Sequence, residues 1–326
     1  MVLSRSMLAA APSNVLVPPS HGQSHDAIDE LQTGLLTHPA YIDPKYLYDT
    51  LGSSLFTAIT QLPEYYPTRC EAEILHEYAV DIARHVGNVS ALVDLGAGDC
   101  AKAEKLLPSL QPERYIPIDI SVEYLHNAVQ RIQHAYKDLK VLPLGQDFHH
   151  ALTLPDSIPL PGRLFFYPGS SIGNLTPERA LALLTQIRQS CPDGGLLIGI
   201  DRIKSRDTLE QAYDDALHLT AAFNLNLLRH VNQRLGSDFE VSDWQHVAHY
   251  DEPHARVQMH LQAQSDIQIH WPGAHRDFRE GERIHTENSY KYTPDGFRSL
   301  LTRAGFSRIE HWSDTRGWFS VFSARA

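Results

Sequence analysis

Apolar residues recur three and four apart in HDAIDELQTGLL (25–36), PKYLYDTLGSSLFTAITQL (44–62) and TRCEAEILHEYAVDIARHV (68–86), which predicts three amphipathic helices. Pro63 and Pro67 bracket LPEYYPT and predict a loop between the second and third. The period then changes. ALVDLG (91–96), RYIPIDI (114–120), KVLPLGQDF (140–148), RLFFYPGSSIG (163–173) and GGLLIGIDRI (194–203) read as strands. Helical patterns separate them in CAKAEKLLPSL (100–110), SVEYLHNAVQRIQHAY (121–136) and TPERALALLTQIRQS (176–190). Ser121 and Thr176 are the predicted N-caps, and Pro177 takes the first helical position. Strands alternating with helices predict a parallel sheet covered on both faces.

The alternation stops near residue 205. LEQAYDDALHLTAAFNLNLLRHVNQRL (209–235) reads as one long helix, and HARVQMHLQAQSDIQI (254–269) and RIHTENSYKYT (283–293) read as strands. PDGFRSLLTRAGF then predicts a helix, and RIEHWSD with GWFSVFSAR a hairpin turned at DTRG. The fold class is α/β, a Rossmann-like sheet interrupted by an insert, with a second α+β lobe. The predicted organisation is a flexible tail at 1–26, an N-terminal helical part of the second lobe at 27–69, the first part of the α/β domain at 70–204, an insert completing the second lobe at 205–293, and a closing helix and hairpin at 294–326. Ligands of such sheets lie beyond the carboxyl ends of the strands, here facing the second lobe.

Composition narrows the function. A formal net charge of −11 argues against a nucleic-acid partner. No apolar run approaches the ~20 residues of a membrane helix, and MVLSRSMLAAAP is too short and too polar in its flank for a signal peptide. Cys70, Cys100 and Cys191 lie far apart with no CxxC pair, which fits free thiols in a reducing cytoplasm. The 19 histidines show no HExxH-type spacing, so no metal site is expected.

The chemistry begins at VDLGAGDCAKAEKLL (93–107). An apolar strand ends, the chain turns through Gly96 and Gly98, and a helix follows. Gly96 to Ala101 fit GxGxxA, and an acid, Asp119, closes the next strand, where it can accept ribose hydroxyls. Nicotinamide and S-adenosylmethionine enzymes share these features. Asp147-Phe148 after the third strand suit an adenine amino group and ring, and Gly169-Ser170-Ser171-Ile172-Gly173-Asn174 form a small polar floor. The closing helix and hairpin fit a seven-stranded methyltransferase sheet, and the second mononucleotide-binding half of a dinucleotide enzyme is missing.

At this point the chain resembles the L-histidine Nα-methyltransferases of ergothioneine biosynthesis, which use S-adenosylmethionine to convert histidine to its trimethylated betaine, hercynine. The resemblance runs from about Tyr48 to the C-terminus. It is carried by YDTLGSSLFTAITQLPEYYPTRCE, VDLGAGDCAKAEKLL, FFYPGSSIGNLTPERA, the AYDD of the predicted long helix, and TENSYKYT. It implies a class I methyltransferase sheet, a monomer, and S-adenosylmethionine contacts from Tyr48, Gly96, Lys102, Asp119, Asp147 and Phe148. It implies substrate contacts from Tyr65, Asn174, Tyr213, Glu287 and Ser289: Asn174 and Tyr213 at the carboxylate, Tyr65 near the amine and assisting its deprotonation, Glu287 and Ser289 at the imidazole. Met259 is expected to face that ring, and Tyr66 to be packed with its hydroxyl on backbone. The spacing agrees at one point, since residues 287 and 289 of an extended strand face one side, and a carboxylate beside a hydroxyl suits the two ring nitrogens. The alternatives are a sibling N-methyltransferase of another amino acid or of a histidine or tryptophan derivative, a nicotinamide oxidoreductase, and a non-catalytic cofactor-binding protein.

Overall fold

A computed structural model describes residues 23–326, with side chains from residue 27 onward. The predicted tail lies outside the described residues as far as residue 22, and residues 23–26 already belong to the first helix. The chain enters through α1 (Gln23–Leu36), a two-residue strand β1 (Ala40–Tyr41), a 3₁₀ turn (Pro44–Leu47), α2 (Thr50–Ile59), α3 (Tyr66–Glu77) and α4 (Ala79–Val86). The α/β alternation follows as β2 (Ala91–Leu95), α5 (Ala101–Glu104), α6 (Leu107–Leu110), β3 (Arg114–Asp119), α7 (Val122–Ala135), β4 (Lys140–Val141), β5 (Leu144–Gly145), β6 (Arg163–Tyr167), a 3₁₀ turn (Ser171–Asn174), α8 (Pro177–Gln189) and β7 (Gly195–Asp201). The insert holds α9 (Arg206–Tyr213), α10 (Leu219–Leu235), β8 (Trp244–Asp251), β9 (Arg256–Ala263), β10 (Ile267–Trp271), β11 (Ala274–Phe278) and β12 (Arg283–Tyr290). The chain closes with α11 (Pro294–Arg303), β13 (Ser307–Ser313) and β14 (Phe319–Arg325).

The central sheet runs β13-β14-β7-β6-β2-β3-β4, with β5 also paired to β3, so seven positions are filled and the edge one is split into two short pieces. β2, β3, β6 and β7 are parallel; β14 joins β7 antiparallel, and β13 joins β14 antiparallel and so runs with the first four. Each inner strand is buried on both faces, which explains its unbroken apolar run. Val93, Phe165 and Ile198 pack toward α8 and α11, whereas Leu92, Phe166 and Leu197 pack toward the core shared with α4, α7 and the insert. From β2 the chain builds outward through β3 to β4, then returns to place β6 on the other side of β2. That reversal opens a crevice at the carboxyl ends of β2 and β6.

Over this crevice stands a second sheet, β1-β12-β9-β8. β1 pairs parallel with β12, so the N-terminal segment and the insert share one sheet, and α2 packs on α10. Where the insert leaves and rejoins the central sheet, Tyr292 N–H donates to the Asp201 carbonyl and Ile203 N–H to the Tyr292 carbonyl.

The predicted helix 209–235 is two helices. Asp214 leaves the helical region at φ −142° and His218 is left-handed at φ 57°, and the Asp215 carboxylate accepts from the N–H groups of Leu217, Leu219 and Thr220. One acid satisfies three donors, which makes the break more stable than a continued helix. Asp215→Ala should cost about 1–2 kcal/mol in urea unfolding, and a loss under 0.5 kcal/mol would contradict this account. Tyr78 similarly divides the predicted helix 68–86, and Pro67 sits in the first turn of α3 rather than in a loop. The predicted helix 44–62 is a 3₁₀ turn followed by α2, because Asp43 and Asp49 each cap a new start.

Candidate active site

At the carboxyl end of β2 the chain turns through Gly96 (φ 70°) and Gly98 (φ 52°), and nothing stands within 4 Å of where a Gly98 side chain would begin. The turn is fastened to β3: Gly98 N–H donates to Asp119 Oδ2 at 2.9 Å and Ser121 N–H to Oδ1 at 2.8 Å. Burial pushes the Asp119 carboxyl up against these donors. Ser121 occupies the N-cap position of α7 without a side-chain cap bond. Phe148 is buried with its ring edge 3.9 Å from the Gly96 Cβ position, and Asp147 lies in the cleft beyond with Ser121. That cleft measures about 1040 Å³. Beneath the turn, Tyr115 donates to Asp94 Oδ2 at 2.7 Å, while Asp94 Oδ1 is buried without a partner among the described residues.

Lys102 reaches across to Gly169 at the end of β6, where its Nζ pairs with Glu71 Oε2 at 2.8 Å. Glu71 is fully buried and its other oxygen accepts from Gly169 N–H at 2.8 Å. It therefore fixes both a cation and a backbone turn at the floor of the crevice.

The second cavity adjoins the first through Tyr48, which lines both. Tyr65, Asn174, Tyr213, Glu287 and Ser289 all line it, with Phe56, Phe223 and Met259 as apolar walls. A register shift between His285 and Glu287 makes Thr286 and Glu287 consecutive buried residues, and from there Glu287, Ser289 and Lys291 alternate inward. Met259 sits opposite Glu287 on β9. The structure ties the expected carboxylate pair to the expected imidazole pair: Asn174 Nδ2 donates to Glu287 Oε1 at 3.0 Å and Tyr213 donates to Ser289 Oγ at 2.7 Å. Tyr65 packs edge-on against Phe56 and Tyr213, and its hydroxyl has no hydrogen bond among the described residues. Burial pushes Glu287 up to about 8, against the pull of the Lys291 ammonium and the Tyr48 hydroxyl.

Behind this wall is a buried network that the sequence reading missed. Lys291 Nζ contacts Asp201 Oδ2 at 2.9 Å, Ser289 Oγ at 2.6 Å and the Tyr213 hydroxyl at 3.0 Å. Lys204 Nζ holds Asp201 Oδ1 at 2.5 Å, the Tyr66 hydroxyl at 2.8 Å and the Arg202 carbonyl. Tyr66 donates to Asp201 Oδ2 at 2.6 Å, so its hydroxyl is on a carboxylate rather than on backbone. Burial alone would raise the Asp201 carboxyl, but Lys291 and Lys204 hold it below the ordinary range. The signal for Lys291 was present: ENSYK continues the i, i+2, i+4 alternation of one strand face.

The profile of a family described as histidine-specific, S-adenosylmethionine-dependent methyltransferases matches residues 27–326. The chain belongs to that family. A histidine N-alpha-methyltransferase of Mycobacterium tuberculosis is 37% identical over 300 residues, covering 90% of this chain and 92% of the relative. The enzyme of the same description from Mycolicibacterium smegmatis is 36% identical over the same shares. Ergothioneine biosynthesis protein 1 of Neurospora crassa is 29% identical over 84% of this chain and 32% of its own length. The central sheet is thus the class I methyltransferase sheet, and the crevice fits the family's cofactor: open glycine backbone, an oriented carboxylate at Asp119, a buried aromatic at Phe148 and a cation at Lys102. No described helix is long and apolar enough to cross a membrane.

Proposed function

We propose that this methyltransferase moves methyl groups from S-adenosylmethionine to the α-amine of L-histidine, three times in succession, giving the betaine used in ergothioneine biosynthesis. The observation that carries this is the Glu287–Ser289 pair, buried side by side in a cavity that meets the cofactor crevice at Tyr48. In this reading Gly96, Lys102, Asp119, Asp147, Phe148 and Tyr48 bind the cofactor. Tyr65, Asn174, Tyr213, Glu287 and Ser289 bind the amino acid. The N-terminal helices and the insert together form the substrate lobe.

The cofactor supplies a methyl group on a sulfonium, which leaves as a neutral sulfide. Strong electrophilic help is unnecessary, so the protein's work is positioning: the amine lone pair must be held about 3 Å from the methyl carbon and in line with its bond. An α-amine is largely protonated near neutral pH and must lose a proton before it attacks. In this reading the Tyr65 hydroxyl, which has no hydrogen bond among the described residues, guides that proton toward water. Burial raises the Tyr65 pKa, so it acts as a neutral hydroxyl rather than a phenolate base. The aromatic walls from Phe56 and Phe223 also suit repeated methylation, because each turn removes an N–H and a site built on several N–H bonds would stall.

Incubation with S-adenosylmethionine and all twenty amino acids, read by mass spectrometry, should displace histidine alone, by three methyl groups. Methylation of another amino acid with histidine untouched would overturn the substrate assignment. Asp119→Ala should weaken S-adenosylhomocysteine binding by at least about tenfold in calorimetry, since a hydrogen bond to a charged group contributes about 1.5–3 kcal/mol. Unchanged affinity would remove Asp119 from the cofactor site.

A further inference from the structure

The protons of the buried network behind the substrate cavity can be counted. A lysine ammonium has three protons to donate and a hydroxyl has one, with two lone pairs to receive. Lys204 spends its three on Asp201, the Tyr66 hydroxyl and the Arg202 carbonyl. Tyr66 spends its one on Asp201. Lys291 donates to the Tyr213 hydroxyl and to Ser289, and its ammonium stands 2.9 Å from Asp201 as an ion pair. Tyr213, receiving from Lys291, spends its one on Ser289. Ser289 thus receives twice, and its own proton is the one left over, at a residue that lines the cavity.

We infer that Lys291 is a positioning residue that makes Ser289 a hydrogen-bond donor, so that the site binds the unprotonated imidazole of its amino acid in a single tautomer, with the bare ring nitrogen at Ser289 and the ring N–H at Glu287. This rests on the histidine reading above and deepens it. An imidazolium would point a second N–H at an oxygen whose lone pairs are already taken. Charge gives the same answer. In the complex, with Glu287 ionised by the ring N–H it receives, Asp201 and Glu287 balance Lys204 and Lys291, so a neutral ring leaves this buried end of the site neutral and a cationic ring leaves it at plus one. A buried unpaired charge is costly. The groups facing the ring position are Tyr48 just after the first 3₁₀ turn, Tyr65 before α3, Asn174 after β6, Tyr213 from α9, and Glu287 and Ser289 from β12, with Lys291 behind them. Handing the Tyr213 proton to a substrate carboxylate would leave Ser289 receiving from Lys291 alone, with one lone pair free, and the neutral ring would then rest on the charge count, which is unchanged.

The test uses the full chain with S-adenosylhomocysteine and histidine labelled with nitrogen-15 in the ring. The bound ring should show one protonated and one bare nitrogen, and keep both signatures at pH 5.5. Two protonated nitrogens, or an averaged pair, would overturn the assignment. Between pH 7.5 and 5.5 histidine affinity should fall about tenfold more than that of 2-fluorohistidine, following a free-ring pKa of about 6.5. Both ligands need Glu287 ionised and share the fall that comes from it, and 2-fluorohistidine, whose ring stays unprotonated in this range, shows that part alone; an equal fall for both would count against the inference. In Lys291→Met the difference between the two ligands should vanish or reverse, and a preserved tenfold difference would remove Lys291 from the role. Should that variant fail to fold, the nitrogen spectra of the natural chain decide alone. Absence of any bound ring, with no thermal shift by histidine, would overturn the histidine reading and this inference with it.

Discussion

Asp201→Ala should lower the stability of the protein by about 3–5 kcal/mol near neutral pH, the scale for breaking a buried ion pair by removing one partner. The carboxylate is 1% exposed, and it is the shared counter-charge of two lysines whose side chains are 5% and 0% exposed. Without it both ammonium groups stay buried, one with two acceptors and one with two, and no anion between them. The loss should shrink as pH rises. Burial already brings the Lys204 ammonium down to about 8, even with Asp201 in place. Removing the carboxylate lowers it further, so the folded state binds fewer protons than the unfolded one and stability increases with pH. Urea unfolding at pH 7 and pH 9.5 checks both statements. A loss under 1 kcal/mol at pH 7, or one that grows at pH 9.5, would show that the network is not held by charge.

That network also marks where sequence reading stops. The central sheet was legible because its strands are buried on both faces and announce themselves as apolar runs, and because GAGD and the acid of β3 sit at fixed places on such a sheet. Local breaks were less visible. The turn at Asp214–His218 depends on one carboxylate serving three N–H groups, and an apolar period carries on through it. β8 (WQHVAHYD) went unread because only Trp244, His246 and Tyr250 are buried, and β9 and β10 were merged because the turn between them is short. Asp201 and Glu71 come from segments distant in sequence from most of the residues they hold, and Lys204, three residues from Asp201, reaches Tyr66 only through the fold. Glu71 on α3 meets Lys102 and Gly169, and Asp201 meets Lys291 only because the insert returns beside the point where it left. Pairings of that kind are set by topology, and no local pattern encodes them.

Glu287 should carry opposite effects on stability and on binding. Its carboxyl stands at about 8 in the folded chain, far above the ordinary range, because burial outweighs the help of Lys291 and Tyr48. The unfolded value is about 4.3. Between the two the folded state holds a proton that the unfolded state has lost, so the unliganded protein becomes less stable as pH rises through this window, by up to about 1.4 kcal/mol per pH unit. Glu287→Gln removes the titration and keeps the shape. Its unliganded form should therefore melt above the natural chain at pH 8 and close to it at pH 5. Histidine binding should go the other way. A ring N–H donating to the carboxylate favours its ionised form, and Glu287→Ala should weaken histidine by about 1.5–3 kcal/mol, roughly ten- to a hundredfold, with S-adenosylhomocysteine affinity unchanged. The two effects have one physical origin: an acid kept dry for a ligand is a strain on the empty site. Melting curves at pH 5 and pH 8, with calorimetric titration of both ligands, check the pair. A Gln variant no more stable than the natural chain at pH 8 would mean that water reaches Glu287 in the empty cavity. Unaltered histidine affinity in the Ala variant would take Glu287 out of the substrate site.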